Sequence, residues 1–68
     1  MEKVLVIGAA RSGVAVSKLL KKNGYDVLLT DAKEVPEKEE LEDLGIQVVD
    51  GGHPDWLLNT EYTFVVKN

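Results

Sequence analysis

Four aliphatic residues in a row, Val4-Leu5-Val6-Ile7, run straight into Gly8 and restrict this chain more than any other feature. A strand with one face in water alternates apolar and polar residues, whereas an unbroken run suits a strand buried on both faces, as in a parallel sheet. Such a strand needs a crossover to reach a parallel neighbour, and the next segment supplies one. Over residues 12–23 the period becomes helical, with Ala15–Leu19 and Val16–Leu20 as i,i+4 pairs on one apolar stripe. Ser17, Lys18, Lys21 and Lys22 fall mostly outside that stripe. Lys21 and Lys22 stand near the negative end of the helix dipole, and Gly24 suits the left-handed residue that ends a helix.

The pattern then repeats. Val27-Leu28-Leu29 predicts a second strand over residues 25–30, ending at Asp31. Pro36 can open a short helix, with Glu37, Glu39 and Glu40 near its positive end, Leu41 and Leu44 sharing a face, and Gly45 closing it. Residues 46–49 read as a third strand, Gly51-Gly52 as a turn, and residues 54–58 as one or two helical turns. Tyr62-Thr63-Phe64-Val65-Val66, aromatic and β-branched, makes a fourth strand. Strands alternating with helices imply right-handed βαβ crossovers. The expected fold is therefore α/β: a Rossmann-like parallel sheet of about four strands with helices on both faces. The acidic stretch over residues 34–43 reads as a solvated helix face. Lys67-Asn68 follows the last strand with no helix to cover it, which reads as a longer protein cut at a functional edge.

Composition narrows the function classes. Twelve acidic against eight basic residues give a net charge of −4, which argues against general nucleic-acid binding. It does not oppose a single phosphate ligand, because backbone N–H groups bind one without net positive charge. There is no cysteine and only one histidine, so no disulfide framework or metal site is expected. No apolar run approaches the roughly 20 residues of a membrane span, and the chain enters a strand at once without a signal-peptide pattern.

The residues suited to chemistry gather at the predicted carboxyl ends of the strands. Gly8-Ala9-Ala10-Arg11-Ser12-Gly13 joins the first strand to the first helix. Gly8 permits the tight turn, and Gly13 lets the helix pack closely on the sheet. Between them, N–H groups near Arg11 and Ser12 point out of the helix N-terminus, a nest that binds phosphate or pyrophosphate. The Ser12 hydroxyl and the Arg11 guanidinium can each add a hydrogen bond. Ala10 stands where the dinucleotide fingerprint G-x-G-x-x-G has its second glycine, and its methyl hinders the NAD-style approach. Asp31, at the end of the second strand, stands where an acid accepts ribose hydroxyls, and could instead accept from a base N–H. Lys33 is near enough to assist a phosphate or base. His53 reads as a cap of the short helix, and Trp56, Leu57 and Leu58 as core packing. No nucleophile–base pair, carboxylate dyad or G-x-x-x-x-G-K-[ST] loop is present, so the segment is expected to bind without performing catalysis.

Taken together, Val4-Leu5-Val6-Ile7-Gly8, Arg11-Ser12-Gly13, Leu19-Leu20, Gly24, Asp31, Leu44-Gly45-Ile46 and Gly51-Gly52-His53-Pro54 resemble the start of a Mur ligase. The resemblance covers all 68 residues. It implies the N-terminal, UDP-binding domain (residues 1–68) of a three-domain cytoplasmic enzyme of peptidoglycan synthesis. In that family a carboxylate is activated as an acyl phosphate and attacked by an amine, here that of D-glutamate. ATP and Mg²⁺ would be bound by domains absent from this chain, which alone would be inactive. The implied partners are UDP-N-acetylmuramoyl-L-alanine, through its UDP part, and the remaining domains, with no nucleic acid and no membrane. By matching position, Arg11 and Ser12 would meet the UDP phosphates, and Asp31 and Ala32 would lie against the uracil; Ala10, Gly13 and Lys33 complete the expected UDP-binding set. The family often has Gly at the position of Ala10 and Thr in some members at that of Ala32, which here can offer only its backbone. It also continues from the last strand into a Ser/Asn-Pro-Gly segment, which Asn68 would begin. Two other readings of the residues stay open: the NAD(P)-binding half of a dehydrogenase, and a nucleotide-sensing regulatory module.

Overall fold

The computed structural model describes residues 2–67. Asn68, where the Ser/Asn-Pro-Gly segment would open, lies outside them. Strands β1 (Lys3–Ile7), β2 (Asp26–Asp31), β3 (Gln47–Asp50) and β4 (Phe64–Lys67) form one parallel sheet in the order β3-β2-β1-β4. Helix α1 (Arg11–Lys22) joins β1 to β2, and α2 (Lys38–Asp43) joins β2 to β3. A single 3₁₀ turn, α3 (Asp55–Leu57), lies between β3 and β4. This is the α/β, Rossmann-like arrangement that the alternation implies.

Side chains on a strand alternate between faces, and the two faces are covered differently. Val4 and Val6 of β1, Val27 and Leu29 of β2 and Val48 of β3 share one face, buried with Val14 of α1, Leu41 of α2, Val35 and Ile46. Both α-helices therefore pack on the same side. On the other side Leu5 and Leu28 are buried against Leu57 of α3, with Ile7, Val49 and Tyr62 half-buried around them. The Tyr62 hydroxyl donates to the Leu57 carbonyl at 2.8 Å and ties α3 to the approach of β4.

Three expectations about packing are corrected. In α1 the buried residues are Gly13, Val14 and Ser17, while Ala15 is exposed and Leu19 is 60% exposed. Ser17 enters the core because its hydroxyl is small and donates to the Gly13 carbonyl at 2.8 Å, leaving no unpaired polar group. Val16 and Leu20 pack at the margin of that core. In α2, which starts at Lys38 rather than at Pro36, Leu41 is buried but Leu44 is half-exposed, because Leu44 is already the cap residue. In α3 only Leu57 faces the sheet; Trp56 and Leu58 point outward, since a turn of three residues presents one of them to a flat surface. Lys18 pairs with Glu40 at 2.6 Å across the exposed sides of α1 and α2, and the acidic stretch is otherwise largely exposed, as expected.

Candidate functional site

The chain reverses its direction of travel across the sheet between β1 and β4: β1, β2 and β3 step one way, and β4 returns to the far side of β1. Ligands of open α/β sheets bind at such a switch point, outside the carboxyl ends of the strands. Ile7 and Lys67 are register partners at those ends, with Thr30 next to Ile7 on β2.

The turn after β1 is shaped by Gly8, whose φ of 103° is open to glycine but strained for other residues. Its N–H donates to the Thr30 carbonyl at 2.9 Å, so the turn folds back onto the end of β2. Ala10 is the N-cap of α1 in extended conformation; no side chain caps the helix, and its first turn carries no acidic residue. The positive end of the dipole is thus not neutralised by a carboxylate of its own first turn. Arg11 and Ser12 are exposed beside it, and Gly13 is buried against the sheet.

Asp31 locks this turn in place. One carboxylate oxygen accepts the Ala9 N–H at 2.7 Å, and the other accepts the Lys33 N–H at 2.9 Å. Those two bonds, the Ala9 one first, hold the carboxyl below its ordinary value of 3.8, because they favour the charged form. Ala32 and Lys33 are exposed on the loop that Asp31 organises. Lys33 also accepts the Gly51 N–H through its carbonyl, at 3.2 Å, which joins the loop after β2 to the loop after β3. Asp50, the register partner of Asp31 on β3, repeats the device. It accepts the Val35 N–H at 2.8 Å and the Lys38 ammonium at 3.2 Å, and these bonds, the Val35 one first, lower its pKa. Two strand-terminal carboxylates thereby brace the loops that follow β1 and β2.

The structure brings the expected site residues together in two groups. Ala10, Arg11, Ser12 and Gly13 form the start of α1, and Asp31, Ala32 and Lys33 form the adjacent loop, bridged by the Ala9–Asp31 bond. His53 does not cap α3, whose N-cap is Pro54. Instead its Nδ1 lies 3.0 Å from Oγ1 of the fully buried Thr30. The sequence reading missed this pair, and the bracing roles of Asp31 and Asp50. A polar residue ending an otherwise aliphatic strand was the available signal for Thr30, but its partner is 23 residues away. Thr30 and His53 border a cavity of about 330 Å³ on the α3 side of the sheet, between Ile7 and Lys67.

Fold and rim together define a Rossmann-like α/β domain with an open ligand edge at its switch point. Comparison with known proteins narrows the class. The chain is 49% identical over 70 residues to the UDP-N-acetylmuramoylalanine–D-glutamate ligase of Enterococcus faecalis, a match covering 98% of this chain and 15% of the relative. The ligase of the same name from Geobacillus kaustophilus is 49% identical over 69 residues, covering 97% and 15%. That from Streptococcus pneumoniae is 43% identical over 70 residues, covering 98% and 16%. No family model matches the chain. The resemblance to the Mur ligases therefore holds: nearly the whole chain is homologous to a segment of these D-glutamate-adding enzymes, and it spans about 15% of their length.

Proposed function

We propose that this chain is the N-terminal domain of a UDP-N-acetylmuramoyl-L-alanine:D-glutamate ligase and holds the UDP part of that substrate. The observation that carries the reading is the joined rim. A helix N-terminus with no acidic residue in its first turn, suited to a diphosphate, is fixed by the Ala9–Asp31 bond to a second loop that can face a base. In this reading the N–H groups of Ala10 to Gly13 and the Ser12 hydroxyl receive the phosphates, and the Arg11 guanidinium supplies a charged contact. Asp31 keeps lone pairs beyond the two backbone bonds, and with Ala32 and Lys33 it borders the uracil. The relatives' name supports the substrate, and Ala10 favours UDP over the closer backbone approach of NAD.

The chemistry belongs elsewhere in the longer protein. Among the described residues no cluster of three or more His, Cys, Asp or Glu side chains could hold a metal ion. The sequence also has no Gly-Lys-Thr phosphate loop. In this reading ATP and Mg²⁺ are bound by the other domains, where the carboxylate is activated and joined to D-glutamate for cell-wall synthesis. A cytoplasmic setting follows from that role, and no helix of the described residues is long and apolar enough to cross a membrane.

Calorimetric titration with UDP-N-acetylmuramoyl-L-alanine, UDP and NAD tests the reading. The uridine ligands are expected to bind and NAD to bind more weakly or not at all. Selective binding of NAD would restore the dehydrogenase reading.

A further inference from the structure

Asn23 is followed by Gly24, and this exposed pair forms the junction between α1 and β2. Asparagine before glycine is prone to lose ammonia, because glycine has no side chain to shield its backbone nitrogen from the neighbouring carboxamide. The Gly24 nitrogen attacks Cγ of Asn23 as its proton passes to hydroxide, and the Cγ–Nδ2 bond breaks to release ammonia. The product is a cyclic imide. Water opens either carbonyl of that ring, leaving aspartate or isoaspartate, so that overall water is consumed and ammonia released.

The folded chain restrains each partner in this reaction. Nδ2 of Asn23 donates to the Leu19 carbonyl at 2.8 Å, which pins the carboxamide against the last turn of α1. The Gly24 N–H donates to the Lys21 carbonyl at 3.1 Å, which holds its proton in place. Ring closure needs the Gly24 nitrogen turned toward Cβ of Asn23, but a ψ of 14° nearly eclipses it with the nitrogen of Asn23 itself. These restraints all belong to the last turn of the helix, where opening costs least. Gly24, at a φ of 90° with open space where a Cβ would lie, adds no packing to hold that turn shut. The comparable pair Asp50-Gly51 is braced from outside its own turn, by the Val35 N–H and the Lys38 ammonium.

We propose that Asn23 is a gated deamidation site, closed while the last turn of α1 is formed and converted when that turn frays. The product cannot restore the closed state. A carboxylate has no N–H to donate to the Leu19 carbonyl, and its charge stands at the negative end of the helix dipole. Lys21 and Lys22 in the same turn offset part of that charge, but exposed pairs contribute little. Isoaspartate goes further by adding a methylene to the main chain between α1 and β2. That shifts Tyr25, whose N–H donates to the Leu20 carbonyl at 3.1 Å and whose ring packs edge-on to Phe64. Conversion therefore loosens α1 where it joins the sheet, whatever ligand the rim holds.

The test follows conversion at Asn23 and Asn59 by peptide mass spectrometry at mildly alkaline pH, in the folded chain and in denaturant. Asn59 is exposed as well but precedes Thr60, whose branched side chain shields the attacking nitrogen. In denaturant Asn23 is expected to convert faster than Asn59. Folding is expected to slow Asn23 by roughly tenfold, the combined hold of two hydrogen bonds. In Asn23→Asp, with amide spectra verifying the fold, hydrogen exchange at Gly24 and Tyr25 is expected to speed up several-fold. Equal rates at Asn23 in the two samples would remove the gate, and an equal or faster Asn59 in denaturant would remove the site; neither outcome needs a variant. Conversion seen only in denaturant would mean that the turn does not open by itself. Unchanged exchange in Asn23→Asp would mean that the carboxamide does not hold it. Each of these results overturns the proposal.

Discussion

On the helical side of the sheet, Val4, Val6, Val27, Leu29 and Val48 are covered by two α-helices and closed to solvent. On the opposite side, Leu5 and Leu28 have a single 3₁₀ turn above them, and Leu58 and Val65 are 80% and 51% exposed. The same strands supply both faces, so strand composition does not cause the difference. Coverage does: the first two crossovers carry helices of 12 and six residues, and the third carries three residues in a 3₁₀ turn. The helical face holds the fold together. The thin face leaves an open cavity beside the ligand rim, where a closely packed helix would have filled the space.

The contrast can be broken by truncating one side at a time. Leu29→Ala, at a fully buried position beneath the helices, should destabilise the chain by about 2–5 kcal/mol in denaturant titration. Leu57→Ala on the thin face should cost less, about 2 kcal/mol, because fewer neighbours are left around the hole. An equal or larger loss at Leu57 would mean that the two faces share the load.

The rim can be separated from both cores by pH. Asp31 and Asp50 have folded-state pKa values below their ordinary 3.8, so each contributes stability that is fully present above that value. The contribution is lost as pH falls through the folded values, when the carboxyls protonate and release the N–H groups of Ala9, Lys33 and Val35. Thermal melts should therefore be flat from neutral pH down to the ordinary carboxylate range and fall below it. The double variant Asp31→Asn/Asp50→Asn should show a shallower acid fall, and an unchanged slope would remove the brace from the account. The smallest effect is expected at the surface: Leu58→Ser should change stability by no more than about 0.5 kcal/mol in the same denaturant titration.

Sequence and structure agree where local physics decides. The aliphatic runs at 4–7 and 27–29 made buried strands, Gly8 took the left-handed turn, and Gly24 and Gly45 followed helix ends with positive φ. The Gly8–Gly13 turn and Asp31 were legible as neighbours because a βαβ unit brings successive strand ends together. What the sequence could not carry was rotation and distance. The buried stripe of α1 turned toward Gly13, Val14 and Ser17 because small residues allow the helix to approach the sheet, a gain that hydrophobic periodicity does not register. The His53–Thr30 pair depends on how the loop after β3 lies over β2, and no local pattern encodes that path.

The central claim is that the rim joined by the Ala9–Asp31 bond is a uridine diphosphate site. The most direct measurement maps backbone amide shifts of the chain during titration with UDP and, separately, with NAD. The account predicts that UDP moves Ala10 to Gly13 and Asp31 to Lys33 together, with one dissociation constant, while NAD leaves them nearly in place. Shifts confined to other surfaces, or a stronger response of the same amides to NAD, would contradict it.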